Sequence, residues 1–170
     1  MILLIDGRSG SGKSELATAI AARVPAAQLV RLDDVYPGWH GLQAGSDLVP
    51  GIIESRRWQR WDWGSSSYKE WHELDDGPLV IEGCGALSVA NRALADFGIW
   101  VEHPDADRRR RALAREPGYA PHWDDWARQE AAFIARERPQ RQADATVDGA
   151  DVTGGLERWC GILETGRVGR

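Results

Sequence analysis

The sequence predicts an α/β fold in three layers, a mostly parallel five-stranded sheet with helices on both faces. Three observations predict it. Short, nearly uninterrupted apolar runs, the mark of strands buried on both faces, recur along the chain. Segments with helical apolar spacing alternate with them, and such alternation makes neighbouring strands parallel through helical crossovers. The length of 170 residues, with 42% hydrophobic and 28% charged, suits one core and argues against disordered and fibrous classes. A single domain over residues 1–170 is expected.

Taken in order, residues 2–5 form the first strand, stopped by Asp6 and Gly7. Leu16, Ala17, Ile20 and Ala21 space a helix over 14–24 that Pro25 ends. Residues 28–32 read as a second strand closing on Asp33 and Asp34. The Gly- and Pro-rich stretch 35–51 predicts an irregular loop with a short helical piece. A helix is expected over 52–61, breaking into a loop over 61–67. Residues 78–83 form a strongly apolar strand with a sharp stop, and 88–95 a helix capped by Ser88. Residues 97–102 are the next strand, 105–116 a charged helix, and 117–121 a break. The amphipathic stretch 122–138 turns Trp126, Ala127, Phe133 and Ile134 inward. A last short strand spans 144–147, and a closing helix is expected over 153–163.

Composition narrows the function. No stretch approaches the roughly 18 unbroken apolar residues of a membrane span. The opening Met1-Ile2-Leu3-Leu4-Ile5-Asp6 lacks the basic flank of a secretory leader, so a cytoplasmic protein without a membrane partner is expected. A net charge of −5 argues against binding nucleic acid through bulk charge. Cys84 and Cys160 cannot frame a disulfide scaffold or a cysteine zinc site, and His40, His72, His103 and His122 share no ligand spacing. Nine tryptophans stand in the chain, and the ordinary role for such density is packing.

Gly7-Arg8-Ser9-Gly10-Ser11-Gly12-Lys13-Ser14 matches G-x-x-x-x-G-K-[ST] in full, between an apolar strand and a helix. A chance match in a chain this long is on the order of a few in a thousand. Gly7, Gly10 and Gly12 let the backbone turn so that amides around Ser9 and Ser11 point into one concavity. The helix start adds its positive dipole end, Lys13 reaches the outer phosphates, and the Ser14 hydroxyl takes a position on Mg²⁺. Only Lys13 and Lys69 among 21 basic residues are lysine, and one fills this slot. The expectation is a P-loop nucleotide-binding fold with Mg²⁺ and ATP or GTP. No guanine-reading Asn-Lys-x-Asp occurs. Asp96-Phe97-Gly98 and His103-Pro104-Asp105 imitate protein-kinase strings in reversed order and read as strand edges.

Further segments resemble the uridine kinase and nicotinamide riboside kinase group from residue 1 to about 150. Leu32-Asp33-Asp34-Val35-Tyr36 is similar to that group's Asp-x-Phe-Tyr segment, and Trp61-Asp62-Trp63 stands where its acceptor-binding segment lies. Val80-Ile81-Glu82-Gly83 resembles its Val-x-x-Glu-Gly strand end. Asp105-Ala106-Asp107 with Arg108, Arg111 and Arg115 resembles its arginine-bearing lid, here about 105–125, and Asp144-Ala145-Thr146-Val147 its last strand. Val35, Trp61 and Trp63 depart from that pattern.

The resemblance implies transfer of the γ-phosphoryl group of ATP to a hydroxyl of a small metabolite, nucleoside-like by that group's habit. It implies Asp33 as base or metal-shell ligand, against a plain strand-ending turn. Glu82 would hold the metal's waters or else meet solvent. Tyr36, Trp61 and Asp62 would bind the acceptor. Arg108, Arg111 and Arg115 share a helix face and would clamp phosphates, Arg108 on the nucleotide and the other two on the transferring group, against the alternatives of a solvated face or a nucleic-acid patch. Other acceptors (sugar, vitamin, antibiotic), or a regulatory module without transfer, fit the same loop.

Overall fold

In the computed structural model, which describes residues 1–152, 154, 156 and 159–161, the first strand is the central one. β1 (Ile2–Asp6) pairs in parallel with β5 (Leu79–Glu82) on one side and β6 (Phe97–Glu102) on the other. β2 (Gln28–Arg31) lies beyond β5 and β7 (Ala145–Asp148) beyond β6, so the order is β2-β5-β1-β6-β7, parallel throughout. Ile5 and Arg31 both stand opposite Glu82, so the strands present their carboxyl ends along one edge. In an open parallel sheet ligands bind at that edge, where strand order reverses. Here the reversal lies at β1.

Alternation along the strands divides the core. Leu4, Leu79 and Ile81 face α2 (Leu42–Ser55) and α5 (Trp123–Glu137); Leu3, Ile5 and Val80 face α1 (Lys13–Arg23) through Leu16, Ala17 and Ile20. The five expected strands, α1, the charged α4 (Asp105–Arg115) and α5 form where their patterns place them, while the Ser88-capped α3 (Val89–Arg92) covers only the first half of the helix expected over 88–95. A short α6 (Pro139–Gln142) follows α5. Of the closing helix over 153–163, Leu156 and residues 159–161 are helical, and Leu156, Trp159 and Cys160 are buried against the α1 face; its other residues lie outside the described ones.

Between β2 and β5 the structure corrects the sequence reading. The expected loop over 35–51 contains most of a fourteen-residue helix, and the helix expected over 52–61 ends at Ser55. The glycine and proline that suggested a loop have other reasons. A Cβ on Gly45 would lie 2.4 Å from the Tyr36 ring, so the position is a packing notch. Pro50 cannot donate to the Ser46 carbonyl one turn back. Asn91 Nδ2 supplies that bond instead, at 3.1 Å. Arg56 then turns into the left-handed region (φ 52°) and closes the helix. β3 (Arg57–Asp62) and β4 (Ser67–Glu73) follow as an antiparallel hairpin, pinned by the Trp58–His72 stack and by Arg57 over Trp71. Among the described residues no helix is long and apolar enough to cross a membrane.

Candidate active site

The glycine-rich loop leaves β1 and enters α1. Gly10 (φ +77°) and Gly12 (φ +103°) need left-handed backbone, and a Cβ on Gly10 would collide with the Arg108 carbonyl at 2.1 Å. The loop is braced from behind. Ser9 N–H donates to Glu130 Oε1 (2.7 Å) and Arg8 Nε to Glu130 Oε2 (3.1 Å). Arg108 Nη1 donates to the Ser9 carbonyl (3.0 Å), and Tyr119 Oη to Ser9 Oγ (3.0 Å). Beneath it Asp6 accepts three backbone N–H groups: Gly7 (2.7 Å), Gly85 (3.1 Å) and Leu87 (2.8 Å). Burial outweighs those donors and pushes the Asp6 carboxyl up to about 7. Gly149, after β7, packs so tightly that a Cβ would reach the Ser11 carbonyl at 1.9 Å.

Two cavities flank the loop. One, of 360 Å³, lies between Gly10, Gly12, Lys13 and Ser14 below and Arg111 and Arg115 of α4 above. The first amides of α1 have no intrahelical acceptor and face anions by default. The other, of 170 Å³, is bounded by Lys13, Asp33, Arg115 and a group of aromatic rings. Lys13 and Arg115 belong to both. Burial disfavours the Lys13 ammonium, but the acidic groups around it, Cys84, Glu82, Asp33 and Glu130, outweigh burial and hold its pKa above the ordinary lysine value. It is a permanent cation at neutral pH.

Three of the five arginines of α4, Arg108, Arg111 and Arg115, share one stripe but differ in what they do. The Arg108 side chain is 2% exposed, bonded to the Ser9 and His103 carbonyls and Asp105, and lines neither cavity. It props the loop. Arg111 bridges to the Gly149 carbonyl (2.9 Å) and Glu15 (2.8 Å) over the 360 Å³ cavity. Arg115 is exposed and, among the described residues, makes no hydrogen bond or ion pair.

Glu82 ends β5 with 1% exposure, and burial pushes its carboxyl up against the opposing pull of Lys13. Its Oε1 has no hydrogen-bond donor; Arg31 Nε stands 3.8 Å off. No cluster of three or more His, Cys, Asp or Glu among the described residues could hold a metal by itself. The groups present fit a magnesium ion that keeps most of its waters: a buried carboxylate oxygen without a donor, and Ser14 on the 360 Å³ cavity.

Asp33 and Tyr36 border the 170 Å³ cavity; Trp61 and Asp62 do not. Asp62 closes the hairpin turn, accepting from Gly64 N–H (2.9 Å) and Ser65 Oγ (2.9 Å), which lower its pKa, and Trp61 packs edge-on to Tyr68. The cavity's walls come from Trp39, Trp63, Tyr119 and Trp126 instead, and Trp63 Nε1 donates to the Asp33 carbonyl (3.0 Å). Sequence reasoning placed Trp63 in the acceptor-binding segment but passed over Trp39, Tyr119 and Trp126 as site residues, and over Asp6, Glu130 and Gly149. Glu130 left one signal: an acid between Trp126 and Phe133 on the inward stripe of α5.

Solved structures of several small kinases superimpose on this chain. A possible uridine kinase from Bacillus stearothermophilus matches with a TM-score of 0.58 at 18% identity, over 87% of this chain and 88% of its own. Shikimate kinase from Bacteroides thetaiotaomicron gives 0.58 at 13%, over 96% and 98%, and a gluconokinase from Sinorhizobium meliloti 1021 gives 0.56 at 18%, over 95% and 94%. The likeness is one of fold: a three-layer α/β architecture with a parallel five-stranded sheet, consistent with a P-loop NTPase. No protein-family model matches the chain, and no curated protein matches it.

Proposed function

We propose that the protein transfers the γ-phosphoryl group of Mg·ATP to a hydroxyl of a small molecule. The observation that carries this reading is the pair of cavities meeting at Lys13 and Arg115. A polyphosphate in one and a hydroxyl compound in the other would bring their reacting ends to the same two cations. The acceptor oxygen attacks the γ-phosphorus, the β–γ bridging P–O bond breaks, the hydroxyl proton passes to the Asp33 carboxylate, and ADP leaves. Lys13 and Arg115 hold the charge that spreads over the equatorial oxygens, where preorganised electrostatics contribute most. Ser14 and Glu82 would hold the magnesium, which screens the triphosphate when bound.

Nucleosides are the acceptor class the family resemblance implies. That reading asks for Trp61 and Asp62 at the acceptor, and neither borders the cavity. The test is ADP formation from Mg·ATP across a panel of nucleosides, sugars, sugar acids and amino alcohols, with Lys13→Ala as control. Product from one class, abolished in the variant, is the expected result. Tight Mg·ATP binding without turnover on any acceptor would make the protein a nucleotide-binding regulatory module. No binding of Mg·ATP or Mg·GTP at millimolar concentration would remove the nucleotide role altogether.

A further inference from the structure

The rings around the 170 Å³ cavity constrain what can fill it. Tyr36 Oη donates to the Cys84 carbonyl (2.7 Å), Tyr119 Oη to Ser9 Oγ and Trp63 Nε1 to the Asp33 carbonyl, so these three walls turn their polar atoms into the protein. A polyol here would exchange water for ring faces and leave hydroxyls unpaired. A carboxylated or phosphorylated acceptor would need cations of its own, yet Lys13 and Arg115, the two on the lining, are shared with the nucleotide-side cavity.

A flat ring fits no better. Trp39 meets Trp63 at 51° and Trp126 at 89°, and Tyr36 meets Trp126 at 67°. The near-parallel pairs are already closed: Trp39 and Tyr119 are 5.5 Å apart between centroids, Trp39 and His122 4.0 Å. Inserting another ring needs about 7 Å, twice the carbon contact distance of about 3.5 Å. Rings set at several angles beside the exposed Asp33 line a box rather than a slot. Such a box suits a compact cation, attracted by each ring's negative face.

We propose that the acceptor is a small alcohol bearing an alkylammonium group. The ammonium lies against Trp39, Trp63 and Trp126, and the hydroxyl points to Asp33 and Lys13. This rests on the phosphotransfer reading above and names its substrate class. Triphosphate in the neighbouring cavity offsets the charge of Lys13 and Arg115, so the ammonium compound binds more tightly after the nucleotide.

Calorimetric titration tests this, with and without a non-hydrolysable Mg·ATP analogue. The probe is choline; the comparators are its neutral isostere with carbon in place of nitrogen, uridine and gluconate. Choline should bind at least about tenfold more tightly than each comparator. The margin should widen with the analogue and disappear in Trp63→Ala, whose side chain is exposed enough (39% for the residue) to spare the core. Equal affinity for choline and its isostere, or tighter binding of uridine or gluconate, would overturn the inference. A preserved choline margin without any analogue binding would support it and defeat the phosphotransfer reading alone.

Discussion

Arg108 and Arg115 stand on one stripe of α4, and replacing each with alanine should damage different properties. Arg108 is buried against the Ser9 and His103 carbonyls and Asp105. Its removal leaves two buried carbonyls without donors, at about 1–3 kcal/mol each, and opens a void under the loop. A loss on the order of 4 kcal/mol follows, a large part of the roughly 5–15 kcal/mol that holds a domain together. With urea slopes of about 1–3 kcal/mol per molar, the unfolding midpoint should fall by about 2 M. Arg115 is exposed and its side chain unpaired among the described residues, so Arg115→Ala should leave the unfolding free energy within about 0.5 kcal/mol of the parent. Turnover, followed as ADP release with saturating acceptor, should instead drop by about 10²–10³, the cost of losing one preorganised donor at the transferring group. An unchanged midpoint in Arg108→Ala, or unchanged turnover in Arg115→Ala, would refute this division of labour.

Lys13→Ala should lower kcat at least as far as Asp33→Asn, since a general base contributes about 10²–10⁴ and the ammonium serves both cavities; stopped-flow ADP release on the two variants decides it. Asp6, raised from 3.8 to about 7, keeps a proton in the folded chain that the unfolded chain releases between about pH 4 and pH 7. Stability should therefore decline as pH rises through that window, by on the order of 4 kcal/mol, and urea midpoints of Asp6→Asn should lack that part of the slope. Gly149→Ala forces backbone apart where a Cβ would stand 1.9 Å from the Ser11 carbonyl. It should cost about 1–3 kcal/mol in denaturation and weaken Mg·ATP binding by calorimetry.

What could be read in the sequence was whatever one segment decides by itself. The glycine-rich loop, the strands ending at Asp6 and Glu82, and the inward face of α5 depend on local spacing, and they form where the spacing puts them. Elements whose logic lies elsewhere in the chain were hidden. Gly45 and Pro50 look like breakers until Tyr36 fills the notch and Asn91 replaces the missing donor, both from distant segments. The hairpin hid because Arg57-Trp58-Gln59-Arg60-Trp61-Asp62 is half-buried without a clean alternation of two. The site divided along the same line. Lys13, Ser14, Asp33 and Glu82 follow from motif or strand end and Arg115 from the stripe of one helix, whereas the walls of the 170 Å³ cavity come from a loop, the hairpin turn, a short helical turn and α5, which only tertiary packing brings together.

Tyr119 borders the 170 Å³ cavity and donates its hydroxyl to the Ser9 side chain in the glycine-rich loop. An occupant that tilted that ring would pull on the Ser9 side chain, a lever only one side chain long. One side chain thus ties the wall of that cavity to the turn that precedes α1.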